Sequence, residues 1–577
     1  DTASGDTLAQ GGPYSSPKFG HILAGIRYPA PDSLGTVLLL VDESVASPLS
    51  AEIERLELDM IRDGRRVERR SVSADATVPE VKSLIVSECQ SDPTISTLFL
   101  LGSIAIPYSG DVRGAHANEF GAWAADTYYG ELDGVWTDSV VNNTSASRIE
   151  NHNVPGDGKF DQTYLPSPVE LQVGRVDLSN LPAFPEGEVE LLRRYLNKDH
   201  AYRSGQVLVP RRGLIKDGTG EMSGTAYACT AWRNYTAMFG PSSLNVGLWL
   251  PALETNPYLC AFGSGAGSFT SCAMVISTND YVTKTIYAVF QMLMGSYFGE
   301  WDATDNLMRA SLASAGYGLA CFWAGHPAWH LHHMALGYPI GYSARLTQNN
   351  HTDYMIGYGG MQTSIALMGD PTIRLHTVKP PAGLSLACLG DGSIGLTWGA
   401  PADSVLGYHV YRAGDVRGDF ARLTGEPIAD TTFSDWSPLP GSNTYMVRAV
   451  RLEATGSGTY LNLSPGVIDS IDVVAGVESG GGSLPDERSV VQGSPNPFGG
   501  EAALRLYVPR RAEVAIEIHD VAGRLVRNLD LGPREPGWHA CRWDGRDSHG
   551  RQVASGVYYL SVTAGRAALS TKLVRIE

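Results

Sequence analysis

The chain has no run of about 18 apolar residues at any point, which excludes a membrane-spanning helix. Its longest apolar runs, such as Thr36-Val-Leu-Leu-Leu-Val41, have the length of buried strands. It has no basic run to offset a net charge of −17, which argues against nucleic acid and anionic membrane surfaces as partners. Its seven cysteines, Cys89, Cys229, Cys260, Cys272, Cys321, Cys388 and Cys541, show no CxxC spacing, so neither a zinc ribbon nor a dense disulfide framework is indicated. At most one bridge is expected, from Cys260 or Cys272 to another cysteine. Charged residues make up only 18% against 43% hydrophobic, the balance of a folded chain and not of a disordered one. The first residues are Asp1-Thr-Ala-Ser-Gly5 instead of Met, which leads us to expect a mature product freed of a signal peptide; a trimmed chain is the other reading.

With 577 residues, two to four domains are expected. The first part alternates short apolar runs (36–42, 97–102) with amphipathic stretches (48–64, carrying Ile53, Leu56 and Met60 on one face, and 78–89). That βαβ rhythm predicts a mainly parallel sheet covered on both faces, with functional loops at the carboxyl ends of its strands. Further strands are expected at 258–262 and 318–323, with a helix over 305–314 between them.

From Lys379 the texture changes to alternating strands of about ten residues separated by turn residues, a β-sandwich signature. Ile394-Gly-Leu-Thr-Trp398, Gly407-Tyr-His-Val-Tyr-Arg412, Asp435 and Asn443-Thr-Tyr-Met-Val-Arg448 resemble a fibronectin type III module. Residues 476–486, with Ser479-Gly-Gly-Gly-Ser483, read as a flexible linker. Beyond it, Ser494-Pro-Asn-Pro-Phe498, Ile518-His-Asp-Val-Ala-Gly-Arg524, Trp543-Asp-Gly-Arg-Asp547 and Ala554-Ser-Gly-Val-Tyr-Tyr559 closely resemble the immunoglobulin-like domain related to the flagellar hook-capping protein FlgD. The expected organisation is therefore an α/β domain over 1–378, sandwiches over 379–475 and 487–577, and a linker between the sandwiches. The last resemblance implies an exported, surface-associated bacterial protein.

Four segments of the first domain, in order, resemble the gingipain family of caspase-like cysteine peptidases. They are Thr97-Leu-Phe-Leu-Leu-Gly-Ser-Ile-Ala-Ile-Pro107, Ala125-Asp-Thr-Tyr-Tyr-Gly-Glu-Leu-Asp-Gly134, Val169-Glu-Leu-Gln-Val-Gly-Arg175 and Leu367-Met-Gly-Asp-Pro-Thr-Ile-Arg-Leu375. The resemblance implies a caspase-like α/β fold with a histidine in a Gly-His-Gly turn after one strand and a cysteine at the end of the next, since a thiolate needs an adjacent base. Here Phe262, in Cys260-Ala-Phe-Gly-Ser-Gly-Ala-Gly267, stands at the histidine position. Met292, in Gln291-Met-Leu-Met-Gly295, stands at the cysteine position, and neither side chain can shuttle a proton or attack a carbonyl. No histidine occurs between His200 and His326.

Fallback candidates are Cys272 as a displaced nucleophile with His326 or His330 as base; the bland reading is a buried thiol with ordinary histidines. His330-Leu-His-His333 would bind a metal only if two imidazoles converged. Gly263-Ser-Gly-Ala-Gly267 lacks the spacing of a phosphate-cradling loop and reads as a vestigial active-site loop. In Gly295-Ser-Tyr-Phe-Gly-Glu-Trp-Asp302 the aromatics Tyr297, Phe298 and Trp301 would either line a ligand pocket or anchor the loop to the sheet. Asn153, Asp157 and Asp161 place oxygen ligands at four-residue intervals, a spacing that Ca²⁺ could use, the alternative being a solvated acidic turn.

The function these features favour is that of a secreted surface or matrix protein built on a degenerate gingipain-like scaffold. It is expected to self-assemble into a ring or filament through the sandwiches, in part because Val557-Tyr-Tyr-Leu-Ser-Val562 carries neither charge nor proline to protect a sheet edge. An active cysteine peptidase with a rearranged site, and a carbohydrate- or peptide-binding surface protein, are the alternatives.

Overall fold

Runs of β-branched and leucine residues too long to alternate with polar ones must bury both faces, and the structure uses them in that way. The computed structural model describes residues 2–3, 20–222, 225–324, 328–351, 360–389, 392–473, 490–494, 498–508, 510–564 and 567–576; the 476–486 linker and His326 lie outside them. The chain divides into two compact units, one of residues 1–387 with 395–473 and one of 388–394 with 474–577.

In chain order the first unit begins with β1 (Gly25–Tyr28), and its α/β part follows with β2 (Thr36–Asp42), α1 (Ser50–Arg62), β3 (Arg66–Val72), α2 (Val78–Ser91), β4 (Ile95–Leu101), β5 (Gln172–Val176) and α3 (Glu188–Arg203). There follow β6 (Gly213–Asp217), α4 (Cys229–Phe239), β7 (Leu244–Val246), β8 (Tyr258–Ser264), β9 (Ala288–Met294), α5 (Leu307–Ala313), β10 (Ala320–Trp323), α6 (Ile340–Gln348) and β11 (Met368–Gly369). Ten strands form one sheet in the order β7-β6-β8-β9-β10-β11-β5-β4-β2-β3. Neighbours pair in parallel, except that the short β11 runs antiparallel to β10. Every residue of β2, β8 and β9 is buried. α1 turns Ile53, Leu56 and Met60 into the core, as its spacing predicts. α2 starts at a capping box in which Glu80 accepts from the Thr77 backbone N–H at 2.8 Å, with Pro79 in the first turn.

The first sandwich consists of β12 (Ala382–Cys388), β13 (Ile394–Gly399), β14 (Gly407–Ala413), β15 (Ala421–Arg422), β16 (Thr432–Asp435), β17 (Gly441–Thr455), β18 (Gly458–Leu463) and β19 (Val467–Val473). One sheet is β12-β13-β16. The other is β15-β14-β17-β18-β1, with β19 also on β17. Trp398 packs edge-on against Tyr408 at 5.4 Å. Asp435 accepts from Tyr445 Oη at 2.6 Å and Arg412 Nη1 at 2.5 Å, tying together three residues of the fibronectin-like pattern.

The sandwich is not a loosely strung module. β1, from the start of the chain, adds to it in parallel, with Gly25 opposite Gly458 and Tyr28 opposite Tyr460. Asp63, just past α1, is buried among arginines from three segments: Arg374 Nη2 at 2.6 Å, Arg448 Nη2 at 3.7 Å and Arg203 Nη1 at 4.0 Å. Arg448 also donates to the Asp63 carbonyl at 3.0 Å, and Tyr411 Oη donates to Asp32 at 2.9 Å.

The second unit holds β20 (Val490–Ser494), β21 (Ala502–Val508), β22 (Ala512–Asp520), β23 (Leu525–Arg534), β24 (Gly537–Trp543), β25 (Gly556–Ala564) and β26 (Ala567–Arg575) in two sheets, β20-β21-β24 and β23-β22-β25-β26. Trp543 is fully buried against Phe498 and Tyr558, and its indole N–H reaches the Arg546 carbonyl at 2.9 Å. The turns Asp520-Val-Ala-Gly-Arg524 and Asp547-Ser-His-Gly-Arg551 are built alike. In each, the aspartate accepts the arginine's backbone N–H and Nε, and the glycine takes a positive φ of 75° or 76° that its position in the turn requires.

One expectation is corrected. Val557-Tyr-Tyr-Leu-Ser-Val562 is not a free edge: it lies inside β25, paired with β22 on one side and β26 on the other. No disulfide forms: all seven cysteines are free, with Cys260 buried in β8.

Candidate functional site

The carboxyl ends of β8 and β9 are where a strand-end nucleophile and its base would meet. Phe262 and Met292 lie directly opposite each other in the parallel pairing of these strands. The same register continues outward, Ile215 on β6 opposite Phe262 and Phe322 on β10 opposite Met292. A row across four strands is thus Ile215, Phe262, Met292 and Phe322, and the last three are 0% exposed. Such a row packs; it offers no lone pair or labile proton to a substrate.

Two positions on, the next row is Asp217, Ser264 and Met294. Ser264 stands between Gly263 and Gly265, as Ala266 stands between Gly265 and Gly267, and of these two only Ser264 carries a polar side chain. Its Oγ donates to Asp217 Oδ1 at 3.0 Å and accepts from the Gly218 N–H at 3.1 Å. Asp217 Oδ1 also accepts the N–H groups of Thr219 and Gly220. The hydroxyl is fully buried and bound to a turn-forming carboxylate, with no imidazole bonded to it among the described residues.

Of the fallback pairs, Cys272 with His330 does not assemble there, and His326 lies outside the described residues. Cys272 is buried, its sulfur 3.6 Å from the Met294 carbonyl, and burial pushes its thiol up to about 12. His330 faces other partners, with Nε2 3.2 Å from Asn350 Nδ2 and its ring edge-on to His21 at 5.6 Å. Burial, with the nearby charges of His21, Arg233 and His333, pushes it down to about 3, so it is neutral at neutral pH. His21, His332 and His333 gather around it, yet among the described residues no group of three or more His, Cys, Asp or Glu is placed to hold a metal ion.

The 295–302 loop is anchored more than it is presented. Phe298 and Trp301 are 0% exposed, so only Tyr297 of its three aromatics reaches the surface. Tyr297 takes a positive φ of 69°, is stacked on His116 at 5.4 Å and 16°, tilts against Phe269, and its Oη lies 3.2 Å from Asn118 Nδ2. Gly295 cannot carry a side chain, because a Cβ would lie 2.8 Å from the Phe298 ring. Below the surface Arg148 joins Glu300 at 3.1 Å to Asp302, which accepts from Tyr108 Oη at 2.8 Å. Burial raises both Glu300 and Glu119 to about 7. Both carboxyl groups are out of solvent.

Two of the three calcium candidates, Asp157 and Asp161, accept N–H donors. Asp161 accepts from Thr137 Oγ1 at 2.8 Å and from the backbone N–H groups of Ser139, Val140 and Val141; burial opposes its ionisation, but these bonds outweigh it and hold the carboxyl down at about 2. Asp157 accepts from the N–H groups of Val154 and Lys159. Asn153 turns its amide nitrogen to the carbonyls of Gly110 and Phe160, and its buried Oδ1 has no partner among the described residues. Asp138, which we did not single out, accepts from Gly156 and Gly158 across the turn. The four-residue spacing serves backbone turns here, and the sequence pattern does not distinguish the two uses.

Comparison with known proteins places one part of the chain. Residues 494–568 match the FlgD Ig-like domain. The basal-body rod modification protein FlgD of Salmonella typhimurium is 36% identical over 81 residues, 14% of this chain and 32% of that protein, so the chain spans about a third of the length of the curated relatives it matches. Among solved structures, dimeric latent PorU from Porphyromonas gingivalis is aligned over 95% of this chain and 64% of its own at 11% identity and a TM-score of 0.25. A two-domain fibronectin type III segment of chicken tenascin is aligned over 34% and 98% at 13% identity and a TM-score of 0.14. The second unit therefore carries a FlgD Ig-like domain.

Proposed function

We propose that the protein is a secreted bacterial surface or extracellular-matrix component whose α/β part is a gingipain-like scaffold lacking a catalytic pair. The observation that carries this reading is the closed apolar row Ile215, Phe262, Met292 and Phe322 at the strand ends where such a pair would stand. The FlgD Ig-like match supports export and a structural role, because the relatives named for that domain are basal-body proteins. The purified protein is therefore expected to cleave no peptide library and to resist thiol-directed activity probes; labelling that disappears in Cys272→Ala, together with hydrolysis, would overturn the reading.

Assembly of copies through the sandwiches belongs to the same proposal. A contact between different surfaces of successive copies propagates into a ring or a filament. Light scattering on the full chain and on a truncation ending near Ala475 is expected to show assembly only in the former. A monomeric full chain at micromolar concentration, or assembly indifferent to the truncation, would remove the terminal domain from this role. A binding role for the old strand-end surface is the second reading, favoured by Tyr297 held in strained backbone beside exposed His116 and Asn118. No helix of the described residues is long and apolar enough to cross a membrane.

A further inference from the structure

A cavity of about 550 Å³ opens between α3 and the 314–319 segment that leads into β10. It lies by the amino end of β10, whereas the 295–302 loop follows the carboxyl end of the neighbouring parallel strand β9. Its volume falls within the range of about 300–1,000 Å³ typical of small-molecule sites. Tyr202, Val207, Tyr317 and Leu319 supply its apolar surface. Glu186, Glu190, Arg193 and Arg194 line it as well, but these charges cancel in pairs, Arg193 with Glu190 and Glu52, Arg194 with Glu186.

Lys198 is the exception. It lines the same cavity, and its Nζ donates to the carbonyls of Leu312 at 2.6 Å and Ser314 at 2.8 Å, at the last turn of α5. An ammonium has three donors, so one remains. Among the described residues no carboxylate pairs with it. The charged and titratable groups around it are Arg194 and Tyr195 on its own helix, with Glu186, Glu190, Arg193, Tyr202 and Tyr317 along the cavity. Lys198 is half-buried, and a cation partly withdrawn from water without a counter-ion is costly; an anion entering the cavity would relieve that cost.

We propose that the cavity is a binding site for a small monocarboxylic acid with an apolar body, its carboxylate paired with Lys198 and its body against Tyr317, Leu319 and Val207. Burial, with a smaller contribution from Arg194, pushes the free Lys198 amine down to about 7. The bound carboxylate favours the ammonium form, so affinity must fall as the pH rises past neutrality.

Phenylacetate and its neutral analogue phenylacetamide are suitable probes, titrated calorimetrically into the full chain. Phenylacetate is expected to bind at least about tenfold more tightly than the amide near pH 6, and to lose at least about fivefold between pH 6 and pH 8.5. Lys198→Met is expected to abolish the preference for the acid. Because Lys198 also caps α5, a second variant guards against misfolding: Ala315→Trp, at an exposed position on the cavity wall, is expected to remove binding of both probes without changing Tm. Equal affinity for acid and amide, saturable phenylacetate binding that survives Ala315→Trp, or no binding at about 10 mM to protein of normal Tm, would each overturn the proposal.

Discussion

Asp63→Ala is expected to cost the first unit about 3–5 kcal/mol, the loss associated with removing one partner of a buried ion cluster. The Asp63 side chain is 7% exposed and stands within 4 Å of Arg374, Arg448 and Arg203, and Arg65 adds a fourth buried guanidinium to its field. Without it, Arg374 and Arg448, which are committed to this cluster from opposite sides of the joint between the α/β part and the first sandwich, keep only carbonyl and amide partners. Asp63→Asn restores the shape and not the charge, so it should recover only a fraction. The pH dependence follows from the lowered carboxyl: burial opposes its ionisation, but the three arginines outweigh burial and keep its folded pKa below the ordinary 3.8. Its contribution is therefore fully present above about pH 4 and is lost as the pH falls through the folded value. Urea unfolding of wild type and Asp63→Ala near pH 7 and near pH 3 should show the gap narrowing in acid. A gap under about 1 kcal/mol at pH 7 would mean that packing, and not charge, holds the joint.

Trp543→Ala is expected to remove about 3–5 kcal/mol from the second unit alone, the usual cost of deleting a buried tryptophan, and that is most of what a domain of this size has to spare. The ring fills the space between Phe498 and Tyr558, and collapse around it is hindered by the sheet on each side. Differential scanning calorimetry should show one transition lost or strongly lowered, with the transition of the first unit in place. A uniform drop of the whole profile would show that the two units unfold as one.

Much of the architecture could be read from residue order because burial writes itself into local pattern. The apolar runs at 36–42 and 97–102, the one-faced helix at 50–62 and the alternating strands after Lys379 lie where periodicity places them. That Phe262 and Met292 stand opposite each other is set by the register of two strands and not by either local sequence. What could not be read depends on partners distant in sequence. Asp63 and Arg448 look like solvated charges until a fold puts them side by side. The acidic turn at 153–161 shows its oxygens in the sequence but not the N–H groups that bind the Asp157 and Asp161 carboxylates. An uncharged stretch such as 557–562 suits an edge or an interior strand equally, since only its neighbours decide. Gly25–Tyr28 is too short to announce itself, and with Ile26 92% exposed it carries no burial signature at all.

That short strand has a consequence for how the protein is made. Arg27 donates its backbone N–H to Thr459 Oγ1, a residue 432 positions later. At synthesis rates of roughly 5–20 residues per second, β1 waits about 20–90 s after it emerges before the edge it pairs with exists. The α/β part can condense as soon as its own strands are complete, but the first sandwich cannot acquire its outermost strand until its last hairpin has folded. Residues 25–28, made well before the strand they pair with, are thus among the last of this unit to dock, and their docking registers that the sandwich has closed.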